Sequence, residues 1–124
     1  MIILVRGIRG AITVDKNEPT EIIERTRELL VTMVKANHIQ TEDIASVTFS
    51  STADLNSAFP AVAARNLGWT EVPLFGTLEI DSPNGLPMCV RVLILLNTEL
   101  PQSAMIHSYL RGAAVLRQDY IKKV

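Results

Sequence analysis

The sequence predicts one α+β domain, a β-sheet covered by one long helix and one short helix. Three observations lead there. Short β-branched and apolar runs recur along the chain, and only one segment sustains a helical period over several turns. The chain has 124 residues, 48% of them hydrophobic, which suits a single packed core rather than disorder. No low-complexity stretch, repeat or linker divides it, so residues 1–124 are read as one domain.

Ile2 to Val14 reads as a first strand, rich in β-branched residues and interrupted by Gly7 and Gly10. Asn17 offers an N-cap and Pro19 suits a first helical turn, so a helix is expected from there to about Asn37. Ile22, Thr26, Leu29, Leu30, Met33 and Val34 form its apolar stripe, while Glu24, Arg27, Glu28 and Lys35 lie mostly off it. Ala45 to Ser50 reads as a second strand. Phe59 to Leu67 reads as a short Ala-rich helix with Pro60 in its first turn and Gly68 as its stop.

Val72 to Ile80 reads as a third strand, closed by a turn at Pro83-Asn84-Gly85. Met88 to Asn97 is the most apolar segment and the candidate central strand. Pro101 opens a turn or short helix. Met105 to Leu116 is read as strand or extended chain, and 118–124 as a frayed tail. Two helices cover such a sheet incompletely, so burial by self-association is expected.

The formal net charge is −1, so no broad basic field invites nucleic acid or a membrane surface. Yet eight of the 12 cations are arginines, whose planar fork matches carboxylates and phosphates. The lone Cys89 excludes an internal disulfide, and the opening apolar run is cut short by Arg6. A reduced, cytoplasmic setting is the expectation.

Arg91 is the most informative residue, because it interrupts the apolar run Cys-Val-Arg-Val-Leu-Ile-Leu-Leu. A guanidinium there suffers desolvation unless an anion meets it. It reads either as a holder of an anionic ligand or as a strand-end arginine that reaches solvent or a structural carboxylate. Glu79 is likewise charged among apolar neighbours, and is a natural partner for Arg91 if their strands pair. Arg6 and Arg9, three residues apart on a strand, point to opposite faces, so at most one serves the same site. Gly7 and Gly10 allow close approach by a ligand or another backbone, or mark a bulge. Arg65, Arg111 and Arg117 complete the arginines outside the long helix; a solvated surface charge is the commoner role for each.

His38 and His107 show no metal-ligand spacing, and Cys89 has no basic partner in sequence and reads as a buried thiol. Motifs for serine hydrolases, dinucleotide binding and P-loops are missing. What remains is arginines and a carboxylate without a nucleophile, a set that can bind an anion and stabilise developing charge.

Taken together, RGIRGA at Arg6 to Ala11, AFPA at Ala58 to Ala61 with Arg65 following, Glu79, CVRV at Cys89 to Val92, and SYL with VLR between Ser108 and Arg117 resemble the AroH-class chorismate mutases. The resemblance implies a mixed sheet in a pseudo-α/β-barrel homotrimer with active sites at subunit interfaces. It implies conversion of chorismate to prephenate, the branch step toward phenylalanine and tyrosine, without metal or cofactor. It implies Arg91 at the ether oxygen of the breaking bond, Glu79 accepting the ring hydroxyl, and Arg9 with Tyr109 on a carboxylate. It further implies Phe59, Ala61 and Leu116 as the apolar wall, Cys89 beside Arg91, and Arg65 and Arg117 near the mouth. Val62 stands where the family often has a lysine, and Phe75-Gly76-Thr77 where relatives can carry small polar residues or Cys. The chain also has one residue fewer before Gly68-Trp69 than some relatives. An imine-deaminase-like trimer or an interfacial carboxylate binder is the alternative reading.

Overall fold

Seven elements follow in chain order: β1 (Leu4–Thr13), α1 (Pro19–Asn37), β2 (Ile44–Ser51), α2 (Ala61–Asn66), β3 (Leu74–Leu78), β4 (Cys89–Thr98) and β5 (Ser108–Leu110). They come from a computed structural model, which describes residues 2–117. The strands form one mixed sheet in the order β3-β2-β4-β1-β5. β4 is antiparallel to both β1 and β2, whereas β3 runs parallel to β2 and β5 parallel to β1. The most apolar segment is therefore the central strand, as its composition predicts.

The stripe on α1 packs onto one face of this sheet. Ile22, Thr26, Leu29, Leu30 and Met33 are buried against Ile8, Ile12, Val47, Phe49, Val90 and Ile94. Each such aliphatic or aromatic side chain contributes about 1.5–3 kcal/mol when fully buried. Thr26 is tolerated there because its Oγ1 donates to the carbonyl of Ile22 at 2.7 Å, one turn back. The helix ends with His38 in the left-handed region at φ 52°, its N–H returned to Val34.

Gly10 explains how α1 sits so close. A Cβ there would lie 2.5 Å from Met33 Sδ and 3.1 Å from Leu29 Cδ1. The register of β1 on β4 runs unbroken from Leu4 to Thr13, so this glycine admits helix side chains and marks no bulge.

Several local expectations are corrected. Glu18, not Asn17, is the N-cap of α1, at φ −127° and ψ 140°, because the residue before a proline is steered out of the helical region. The Asn17 amide is spent across the fold: its Oδ1 accepts from Asn56 N and from both Ser57 N and Oγ, and its Nδ2 donates to Asn56 Oδ1. α2 begins one residue after Pro60, and Gly68, at φ 86°, ends the turn that follows it. β3 is shorter than its apolar run, since Val72 turns into the core and Ile80 lies beyond the strand and is exposed.

The segment from Met105 to Leu116 does not stay extended to its end. Only Ser108–Leu110 pairs, and the chain then turns helically from Arg111. Arg111 takes φ 53°, its guanidinium donates twice to Glu28 at 2.9 and 3.1 Å, and Gly112 N donates to Thr13 Oγ1 at 2.8 Å. Those bonds swing Ala113 and Leu116, three residues apart, over Ala11 and Cys89. The tail from Gln118 to Val124, expected to fray, lies outside the described residues. Among the described residues no helix is long and apolar enough to cross a membrane.

Met33 and Leu29 are fully buried and cannot swing into solvent. Gly10→Ala is therefore expected to lower stability by about 1–3 kcal/mol through overpacking, read as an earlier midpoint in chemical denaturation with an unchanged slope. An unshifted midpoint contradicts this account of the β1–α1 contact.

Candidate active site

Strand alternation decides which side chains meet on the face that α1 leaves uncovered. Arg91 pairs with Ala11 on one side and Ser50 on the other, and Ala11 pairs in turn with Tyr109. Two residues along, Arg9 pairs with Leu93, and Leu93 with Thr48. The register thus gathers Arg9, Arg91, Ser50, Thr48, Leu93 and Tyr109 around one cavity of about 210 Å³. Arg6 faces elsewhere, as its spacing predicts, and its Nε donates to the carbonyl of Leu100 at 3.0 Å.

Glu79 and Arg91 also meet, although their strands do not pair. β2 lies between β3 and β4, so the partnership does not come from direct strand pairing. Just past the end of β3, Glu79 N donates to the carbonyl of Ser51 at 2.9 Å, and this carries the carboxylate over β2. Its Oε1 accepts a 2.7 Å hydrogen bond from Ser50 Oγ and lies 3.7 Å from Arg91 Nε. That separation is too long for a hydrogen bond, so the ion pair leaves the guanidinium's donors to other acceptors. Both groups border a second opening of about 530 Å³, walled by the loop from Asp81 to Pro87.

Cys89 lies beneath Arg91, 1% exposed and clustered with Ala11, Ala113, Tyr109 and Leu116. Burial pushes its thiol up to about 11, against the opposing pull of the Arg91 charge. Cys89 is thus a protonated, apolar neighbour rather than a nucleophile. Arg9 is anchored by its main chain, whose N–H donates to His107 Nδ1 at 2.9 Å. Burial, and then the Arg9 charge, holds His107 below the ordinary histidine range.

Phe59, Ala61 and Arg65 fall elsewhere. They line a separate cavity of about 740 Å³ beside α2 and β3, which Arg9, Arg91, Glu79 and Tyr109 do not border. Phe59 is 78% exposed there, a large aromatic surface with little cover from its own chain. Arg117 is exposed at the end of the described residues. Thr48, Ser50 and His107 are the polar groups that sequence reasoning missed as site residues. Ser50 had a signal, since Val47-Thr48-Phe49-Ser50 alternates and puts Thr48 and Ser50 on one face. His107 had none, because its partner lies 98 residues away.

A fixed cation and a carboxylate beside an apolar floor, with a protonated thiol and a histidine nitrogen already occupied, can hold an anion and polarise it. No described side chain in this group is set up to attack. Among the described residues, no three of His, Cys, Asp and Glu gather as a metal site. These features define a small α+β protein that gathers two arginines and a carboxylate on an open sheet face.

The sequence pattern of the family described as chorismate mutase type I matches residues 5–120. The chorismate mutase AroH of Thermus thermophilus is 52% identical over 117 residues, covering 94% of this chain and 96% of that protein. Chorismate mutase AroH of Bacillus subtilis is 41% identical over 117 residues, with 94% and 92% covered. A solved chorismate mutase structure from Clostridium thermocellum superposes with a TM-score of 0.86 at 45% identity, covering 88% of this chain and 97% of that one. The chain belongs to the type I chorismate mutase family. This resemblance favours a mutase over the imine-deaminase-like and carboxylate-binding alternatives.

With a thiol near 11, Cys89 stays protonated at neutral and mildly alkaline pH. Iodoacetamide is expected to label it slowly in the native protein and fast once denaturant unfolds the chain, followed by mass spectrometry. Equal rates in the two states contradict the packing described for Cys89.

Proposed function

We propose that this chain rearranges chorismate to prephenate, an isomerisation at the branch toward phenylalanine and tyrosine, using the cleft around Arg91 and Glu79. The observation that carries the reading is that pair, held 3.7 Å apart on the open sheet face with Ser50 fixing the carboxylate. Family membership supports it, with relatives named chorismate mutase aligned over 94% of the chain.

The reaction is a Claisen rearrangement, in which one C–O bond breaks as one C–C bond forms within the same molecule. It needs no nucleophile and no proton transfer, which suits a site whose thiol and histidine are unavailable for either. It needs the substrate held in a compact conformer, and clamps on its carboxylates supply that restriction. Arg9, with Tyr109 beside it, takes the role of one clamp. Glu79 uses its carboxylate to accept the ring hydroxyl. Arg91 places its guanidinium at the ether oxygen, where negative charge grows as the bond breaks. Because that charge is larger in the transition state than in the substrate, the cation favours the former and raises kcat.

Cys89 and Leu116 form the apolar floor in this reading, and exclude water beside Arg91. Phe59, Ala61 and Arg65 are supplied by a neighbouring copy in a homotrimer, their exposure and separate cavity in one chain supporting that assignment. Arg117 stands near the mouth. No cofactor takes part, and the cytoplasm is the compartment proposed.

Arg91→Ala is expected to fold normally and to lose about 10²–10³ in kcat, the usual loss for one such donor, about 3–4 kcal/mol. Arg91→Lys recovers only part, since an ammonium lacks the planar fork. The measurement is the fall of chorismate ultraviolet absorbance on adding purified protein. Near-normal turnover by Arg91→Ala defeats the role given to Arg91, and no turnover by the unmodified chain defeats the function.

A further inference from the structure

The ladder between β1 and β5 covers only Gly10 to Ile12 against Ser108 to Leu110. Before it starts, the β5 side of β1 is completed by side chains. Gln102 closes on Gly7, accepting its N–H at 2.8 Å and donating to its carbonyl, and His107 Nδ1 accepts the N–H of Arg9 at 2.9 Å. His107 itself stands two residues before Tyr109. Its neighbour Ile106 is gripped from the opposite direction by Asn37 at the end of α1, with Ile106 N donating to Oδ1 at 2.8 Å and Nδ2 donating to the Ile106 carbonyl at 2.9 Å. The start of β5 is thus clamped to α1 through a neutral amide and to β1 through an imidazole.

We infer that His107 is a positioning residue for the anion grip: its neutral imidazole fixes the main chain of Arg9 against β5 and so sets Arg9 relative to Tyr109. The inference rests on the carboxylate role proposed for those two residues. An Nδ1 that accepts an N–H carries no proton, so the ring is the neutral form with its hydrogen on Nε2. Protonation removes the acceptor and places a second cation beside Arg9. The neutral form is favoured by burial and by the Arg9 charge on β1, while Asn37, packed on the α1 side, adds no charge. Through His107, stability is lost as pH falls below the ordinary histidine value, because the unfolded chain takes up the proton first.

The test compares His107→Leu, which lacks an acceptor, with His107→Asn, whose Oδ1 can stand where Nδ1 does. For the unmodified protein and both variants, chorismate turnover is followed across the acid range, and the ring and Arg9 amide resonances of the unmodified protein are recorded by nitrogen NMR. His107→Leu is expected to raise KM about tenfold, the worth of one hydrogen bond, with kcat changed less than about twofold. The unmodified protein is expected to show a rise of KM at acid pH, and His107→Asn to recover most of the loss and to remove that rise. The resonances show Nδ1 unprotonated at neutral pH and an Arg9 amide that shifts as the ring titrates.

A protonated Nδ1 at neutral pH overturns the inference, and so does an Asn variant as impaired as the Leu variant. If His107→Leu does not fold, the Asn variant and the acid profile decide alone. The NMR readout needs no substrate, so a failure of chorismate turnover in the unmodified chain sinks the proposed function and leaves the His107–Arg9 contact decided separately.

Discussion

Arg91 and Glu79 stand 3.7 Å apart, partly exposed, on the sheet face that α1 leaves uncovered. A pair so placed contributes at most about 1 kcal/mol to folding, so stability does not explain a charge within the most apolar strand, at the third residue from its start. Its setting does. Ser50, opposite Arg91 in the register, holds one carboxylate oxygen, and the buried Cys89 cluster underlies the guanidinium. Covering that face with a ligand lowers the local dielectric and makes the same charges count for much more. The fold therefore stores little energy in the pair and gains effect from it only when something is bound.

The edge of the sheet at β3 shows what a single chain lacks. Phe75 is 67% exposed and Phe59 78%, and both sit at or beside the edge strand β3. Large apolar groups left in this way favour burial against another protein surface. In the proposed homotrimer, the wall formed by Phe59, Ala61 and Arg65 of one copy completes the cleft formed by Arg9, Arg91, Glu79 and Tyr109 of the next. Structural need and catalytic need are then met by one interface.

Much of the fold was legible because it rests on local periodicity. The stripe from Ile22 to Val34 specified α1, and the run from Cys89 to Asn97 specified a central strand. Errors arose where local pattern and tertiary demand differ. Asn17 looked like a cap, but the proline two residues on moved the cap to Glu18 and released the amide for the 56–57 loop. The apolar run Ala113 to Leu116 looked extended, but Thr13 and Glu28 draw the chain into a turn. For the site, Arg91 and Glu79 were visible as charges out of place. That they meet across β2, through Ser50, depends on strand order, which no local pattern contains. His107 was hidden for the same reason.

The claim on which most depends is that the cleft is shared between copies. Arg91→Ala and Arg65→Ala chains, each weak alone, can be unfolded together and reassembled as mixed oligomers. If each site takes Arg91 from one copy and Arg65 from its neighbour, random mixing restores both side chains in about a quarter of the sites, and chorismate turnover rises to roughly that fraction of the unmodified level. Mixed oligomers, verified by native mass spectrometry, that show no more turnover than the separate variants would contradict a shared site.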